Sequence, residues 1–511
     1  MEVDGQADDE CVLPSVVKDY AACPHGPMLL FVKRKDGREY YACSASRDRK
    51  LCPFFLFADK KAPSAETLKV WKSTIEGENT SNAVTDSDAR RMKRVKSLPP
   101  SERVFCKEPD CSNFVFPEET ASHEKHRLTK KITDRQLRRP MELLAPLEDP
   151  KLNAQFIFDD KSVGVLVKVL DELKLHRVIC LGAPKIHEAL KGKEAFKSYL
   201  LDIDARFQRF FSPQTFARFN MFNAHFFSPA GASAFIQFLS SCDRPPVVIV
   251  DPPFGGRVQP LFATLRRLSA LWLEAKNLTP DAPEAKSPVF VHESVDADKT
   301  DSNLEYLLPV FWAFPYFLEG SVQKERPEFR LLDYKIQYRN HPLFHNDKDG
   351  KNNNNISKKG SPIRFLTNVN PALVRLPEPD HRFCDAPGCK RWVARENRHC
   401  AKCGVCASKD GSTYNHCDVC QKCVKPSRIH CEKCGRCELP KHFCSSDAEA
   451  EDEVEAKENA MDDGESRGKA EERCFNCGNP GHKRRFCPQN WAGGKRKKQG
   501  GKKGGGKKAR I

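Results

Sequence analysis

The 511-residue chain has no apolar run near the ~18 residues that a membrane helix requires, which excludes a span of that kind. Its acidic N-terminus lacks the basic flank and apolar core of a secretory signal, so a soluble intracellular protein without a membrane role is expected. Acidic side chains are in deficit, with 69 Asp and Glu against 85 Lys and Arg and a formal net charge of +16. That imbalance favours a polyanionic partner, nucleic acid first, over an acidic small molecule. Cysteine, by contrast, is plentiful. In a reducing compartment 23 cysteines read as metal ligands rather than disulfides, and a chain this long should hold several domains.

Four groups of cysteine and histidine stand out. Cys23, His25, Cys43 and Cys52 form one N/S ligand set suited to tetrahedral zinc. Their C-x-H start, the "GREYYAC" strand and the "CPFFLF" end resemble a GRF zinc finger, which implies binding of single-stranded nucleic acid through a basic, aromatic-lined face. Unligated surface cysteines are the alternative. Cys106, Cys111, His123 and His126 approach a C2H2 finger. The tight x2 spacing of its histidines suggests an atypical finger packed on its neighbour rather than a helix reading a groove.

The densest group repeats an H-C-x2-C-x2-C unit three times: "HCAKCGVC", "HCDVCQKC" and "HCEKCGRC". Cys384, Cys389, His399, Cys400, Cys403, Cys406, His416, Cys417, Cys420, Cys423, His430, Cys431, Cys434, Cys437, His442 and Cys444 make sixteen ligands, enough for up to four zincs. Which ligands share a metal is not legible from the spacing. So loop-rich a segment buries little apolar surface, and metal should supply much of its folding free energy. Its end resembles the cysteine-rich region of DHHC protein acyltransferases, but "KHFC" replaces Asp-His-His-Cys and the membrane helices are missing. Acyl transfer is therefore set aside. Finally, Cys474, Cys477, His482 and Cys487 form a CCHC knuckle, C-x2-C-x4-H-x4-C, in which Phe475 and Phe486 are placed to stack unpaired bases beside Lys483, Arg484 and Arg485. A purely structural knuckle is the alternative. The four groups total 28 ligands, up to seven zincs, and leave over only Cys11, Cys180 and Cys242.

Composition shifts set the expected boundaries. Residues 1–20 are expected to be disordered, 21–62 the first finger, 63–103 a linker, 104–130 the second finger and 380–446 the Cys-rich domain. An acidic disordered tether over 447–472, the knuckle over 473–489 and a basic disordered tail over 490–511 complete the chain. Between residues 140 and 372 metal ligands vanish and strand and helix signals alternate, as in an α/β sheet with helices on its faces. "HRVICLG", "KSYLLDID", "FARFNMFN" and "PPVVIVDPPFGG" read as successive strands, placing Gly182, Asp202, Asn220 and Asp251 on the carboxyl rim where ligands bind.

The tetrapeptide "DPPF", Asp251–Phe254, has about 0.04 expected occurrences in a sequence of this composition. It resembles the Asp/Asn-Pro-Pro-aromatic signature of S-adenosylmethionine-dependent amino-methyltransferases. Its parts suit that chemistry. A carboxylate at Asp251 and the Pro252 carbonyl accept the two N–H bonds of a planar amine, Phe254 stacks on an extruded base, and Pro252 with Pro253 stiffens the backbone. A strand-ending turn is the alternative. The cofactor side departs from the common pattern, since "CLGAPKIHE" carries Gly182 alone where a Gly-rich loop is usual. An acid after the second strand should bind the ribose hydroxyls, with Asp202 preferred to Asp204; otherwise both acids cap a helix.

Taken in order, the fingers, "LGAPKIHE", "LLDIDARF", "FNMFNAHFF", "VDPPFGG", the Cys-rich cluster and the knuckle resemble the CCHC zinc-finger N6-adenosine methyltransferases of large-subunit ribosomal RNA. The resemblance implies an α/β, Rossmann-like class I methyltransferase core flanked by several small zinc-binding domains. It implies S-adenosyl-L-methionine and Zn2+ as cofactors, structured RNA as partner, and action in nucleolus and cytoplasm. It also implies cofactor-site roles for Cys180, Leu181, Gly182, Ala183, Asp202, Asn220, Met221 and Asp251, with Gln155 closing over the cofactor. Two other readings use the same residues: a non-catalytic RNA-binding adaptor with a degenerate core, and a methyltransferase for a protein glutamine amide, which presents the same two N–H bonds.

Overall fold

The computed structural model describes residues 10–12, 21–33, 36–46, 52–59, 63–81, 86–108, 111–147, 155–253, 255–287, 289–290, 306–341, 361–440 and 442. Phe254, Cys444, the acidic tether, the knuckle ligands Cys474, Cys477, His482 and Cys487, and the basic tail lie outside them. No helix among the described residues is long and apolar enough to cross a membrane.

The centre is an eight-stranded sheet. Its strands are β1 (Arg177–Leu181), β2 (Lys197–Asp202), β3 (Phe216–Asn220), β4 (His225–Phe226), β5 (Val247–Val250), β6 (Val310–Pro315), β7 (Arg330–Leu331) and β8 (Ile363–Thr367), in the order β4-β3-β2-β1-β5-β6-β8-β7. The middle strands β3, β2, β1, β5 and β6 pair in parallel, while β4 and β8 run antiparallel to their neighbours. All four residues of β5 are buried, which explains its unbroken apolar run: a central parallel strand is covered on both faces. Alternate residues serve opposite faces. Val178, Cys180 and Leu200 join one core with helices Asp160–Glu172 and Pro184–Lys191. Ile179, Leu181 and Leu201 join the other with Pro229–Ser240 and Val258–Lys276. The left-over cysteines Cys180 and Cys242 are core residues.

The fingers pack against this core. The first is a four-stranded antiparallel sheet that includes Glu10–Val12, paired with Leu30–Val32, so the stretch expected to be disordered contributes a strand to an otherwise open edge. The second has strands Val104–Cys106, Phe114–Val115 and Leu128–Lys130 with a 3-10 helix at Pro117–His123. It offers no groove-reading α-helix, and Phe105 and Phe114 pack on Phe210 of the core at 5.8 and 5.6 Å. The expected linker 63–103 is overturned. It holds helices Ala65–Ser81 and Asp86–Ser97. Met92 and Val95, three residues apart on one helical face, are buried in the main core, so an amphipathic pattern lies within the strongly basic composition.

Candidate active site

The sheet's order reverses between β1 and β5, so the chain leaves these neighbouring strands in opposite directions and opens a crevice at their carboxyl ends. There the Asp251 N–H donates to the Leu181 carbonyl at 3.0 Å, and the Gly182 N–H donates to the Leu201 carbonyl at 2.9 Å. Gly182 has φ +66°, and a Cβ on it would stand 2.5 Å from the Met221 methyl and 2.9 Å from the Asp251 carbonyl oxygen. One glycine therefore suffices for this loop, because the crowding is concentrated at a single residue.

Asp202, at the end of β2, is buried and accepts the Asp204 N–H at 2.9 Å. Burial, then the nearby Asp204 charge, pushes its carboxyl up to about 7. Asp204 is burdened differently. It accepts the Arg206 N–H at 3.0 Å, caps the helical turn Ala205–Arg209 and pairs with the Arg206 guanidinium at 2.7 Å. This geometry supports Asp202 as the ligand-facing acid and makes Asp204 the cap.

Burial also raises the Asp251 carboxyl well above its ordinary range; the facing Tyr338 hydroxyl opposes this and Asp202 adds to it. Tyr338 was not among the residues singled out in the sequence. It reaches the site because Phe158 and Tyr338 form a β-bridge and their rings meet, tilted, at 5.2 Å, an alignment between positions 180 residues apart that no local motif marks. Pro252 is buried and Pro253 exposed; the Gly256 N–H closes a turn on the Pro253 carbonyl at 2.7 Å.

The remaining expected cofactor residues divide. Gly182 and Met221 meet in the crevice. Cys180, Leu181 and Ala183 are buried with all three side chains in the cores, which leaves the strand-end backbone as their contribution. Gln155 donates from Nε2 to Asp204 at 3.0 Å and accepts from Leu147 N–H and the Arg206 guanidinium, each at 3.2 Å. Asn220 is committed to the first finger: its amide donates to the His25 carbonyl and Ser44 hydroxyl, both at 2.8 Å, and its oxygen accepts the Phe222 N–H at 3.0 Å. The sequence gives no sign of this attachment. It makes Asn220 a holder of the loop after β3 rather than a donor free for a ligand.

The metal-ligand groups assemble in space. Ligand atoms of Cys23, His25, Cys43 and Cys52, and of Cys106, Cys111, His123 and His126, each lie within 4.8 Å of one another. Three further sets are Cys384, Cys389, His399 and Cys406; Cys400, Cys403, His416 and Cys423; and Cys417, Cys420, His430 and Cys437. The sharing is thus interleaved. In each hairpin a cross-strand pair, such as His416 and Cys423, closes one set while the C-x2-C at the turn opens the next. Cys431 and Cys434 continue the series toward His442, with Cys434 Sγ 3.4 Å from His442 Nε2. Typical Zn–S and Zn–N bonds place tetrahedral ligand atoms roughly 3.3–3.8 Å apart. Sγ–Nδ1 separations of 3.4 Å for Cys43–His25, 3.5 Å for Cys106–His126 and 3.6 Å for both Cys384–His399 and Cys400–His416 fit zinc.

Comparison with known proteins agrees with this arrangement. Residues 149–310 match the family model described as probable N6-adenine methyltransferase. The chain is 37% identical over 498 residues to the human protein named rRNA N(6)-adenosine-methyltransferase ZCCHC4, covering 95% of this chain and 86% of that one. The proteins of that name from Mus musculus (38% identity, 74% and 69% coverage) and Xenopus tropicalis (37%, 91% and 86%) are similar along the same course. A match this extensive, from the first finger through the methyltransferase core, shows that the chain belongs to the ZCCHC4 family of rRNA N(6)-adenosine-methyltransferases.

Proposed function

We propose that this chain transfers a methyl group from S-adenosylmethionine to the N6 amine of an adenosine in large-subunit ribosomal RNA, working in nucleolus and cytoplasm. The observation that carries the reading is the delivery of Asp251 and Pro252 by β5 to a rim shared with Gly182 and Asp202. The residues present fit the methyl donor. Gly182 leaves a cradle that a side chain would fill, and Asp202 offers a carboxyl for ribose hydroxyls. S-adenosylmethionine supplies an electrophilic methyl group on a positively charged sulfonium.

The amine needs help because its lone pair is delocalised into the adenine ring. A side-chain oxygen of Asp251 and the Pro252 carbonyl accept its N–H bonds and favour a pyramidal nitrogen as the methyl moves across. Tyr338, beside Asp251, opposes the upward push of burial on its carboxyl. Phe254 is assigned the stacking role on the extruded base. For the flanking RNA, the first finger offers the half-buried rings Phe31, Phe55 and Phe57, set around the buried Tyr40 with successive centroids in the order Phe31, Tyr40, Phe55, Phe57 at 5.4, 5.0 and 4.9 Å. Arg38 lies over Phe57 at 3.9 Å, and Arg257, just beyond the catalytic loop, lies over Phe31 at 5.2 Å. Rings interleaved with cations suit unpaired nucleotides.

Asp251→Ala should abolish methyl transfer while zinc content and RNA affinity stay at wild-type levels. The check is nucleoside mass spectrometry of ribosomal RNA from cells lacking the protein and complemented with either form. Equal N6-methyladenosine in both would remove the catalytic assignment.

A further inference from the structure

The two loops that border the donor crevice are both fastened to metal-ligand turns. After β3, the Asn223 amide donates to the His25 and Pro27 carbonyls at 3.1 and 2.8 Å, while its oxygen accepts the His225 N–H at 3.2 Å. Gly26, between them, presses on His225 so closely that a Cβ would lie 2.5 Å from the ring. Asn220 adds its own bonds to His25 and to Ser44, the neighbour of ligand Cys43. After β2, the turn that follows Asp202 is held by Arg209, which donates to the carbonyls of Cys111 and Ser112, each at 2.6 Å.

Ligation of a metal by His25 and Cys43, or by Cys111, would fix the very carbonyls that these side chains grip. Met221, whose methyl covers Gly182, lies between Asn220 and Asn223 in the first of these loops. We propose that Asn223 and Arg209 are positioning residues through which the first two metal-binding modules set the loops that receive the methyl donor, so that metal loading of the fingers controls donor affinity. The inference rests on the reading of this crevice as the donor site. A finger that only gripped RNA would affect RNA binding and leave donor binding alone.

The test is calorimetric titration of the full-length chain with S-adenosylhomocysteine, alongside metal analysis and steady-state kinetics. Asn223→Asp keeps the acceptor for His225 and removes both donors to the finger. It should weaken S-adenosylhomocysteine binding about tenfold, the loss expected when two neutral hydrogen bonds that order a loop are removed. The KM for S-adenosylmethionine should rise in parallel, with kcat and zinc content nearly unchanged. Unchanged affinity at wild-type zinc content overturns the coupling. If Asn223→Asp does not fold, Cys23→Ser, which removes one ligand of the first metal set, takes its place: one zinc fewer with weakened binding supports the proposal, and one zinc fewer with wild-type binding overturns it. A wild-type chain that binds no S-adenosylhomocysteine would instead defeat the donor-site reading itself.

Discussion

Asp202 and Asp204, two residues apart on one loop, meet different surroundings and so do different work. Burial raises the Asp204 carboxyl, but the Arg206 guanidinium and the Gln155 amide outweigh it and the net shift is downward. Asp202 has the Asp204 N–H but, among the described residues, no comparable ion pair, and it is pushed up to about 7. A carboxyl raised on folding costs stability as pH climbs from its unfolded value, near 4, to its folded one, because the unfolded chain releases the proton first. Donor binding should run the other way. Accepting both ribose hydroxyls calls for the ionised form, so affinity for S-adenosylhomocysteine should fall by about tenfold per unit as pH drops below the folded value. Calorimetry across that range would measure it, with Asp202→Asn expected to bind weakly and with a shallower dependence. A wild-type profile flat through neutrality would count against the role of Asp202.

At the scale of elements, the basic segment before the second finger is structural. Arg91 in Asp86–Ser97 donates to the Phe114 carbonyl at 2.9 Å and to Glu119 at 2.8 Å, while Val95 is buried in the main core. Val95→Ala should therefore cost about 2 kcal/mol through lost burial and the cavity left behind, whereas Lys93→Ala on the exposed face should cost little. Thermal unfolding of the two variants would separate them; equal midpoints would mean that the helix does not contribute to the core. The strands of the sheet were legible because four-residue runs such as "VVIV" are buried on both sides. The helix was not, because only two strongly apolar residues, Met92 and Val95, interrupt its charges, and their significance depends on a neighbour.

Across the molecule, residues through Cys444 form one compact unit in which the metal modules are joined to the sheet rather than strung along it. The Cys-rich domain is attached through Asp333, which accepts the Ala394 N–H at 2.8 Å and the Asn397 amide at 2.7 Å. Its own apolar core is small, with Cys384, Val393 and Cys406 as its buried members. Chelation should accordingly unfold this domain before the sheet, since zinc ligation supplies folding free energy that so small a core lacks. Hydrogen exchange after chelator treatment would then show protection lost over 381–440 and retained in β1 and β5. Simultaneous loss in both regions would refute that order.

The strands of the central sheet and the position of Asp251 and Pro252 at the end of one of them were legible in the sequence, as were the cysteines and histidines that gather into candidate metal sets, since each is written in local spacing or periodicity. Folding had to show which cysteines gather into one candidate metal set, that Asp204 rather than Asp202 caps the turn, that Asn220 serves the first finger, and that Tyr338 lies beside Asp251. The physical reason is the range of the interaction. Zinc-ligand chemistry and strand burial leave a signature within a few residues, whereas a hydrogen bond between residues 25 and 220 depends on where the folded chain brings two distant surfaces together.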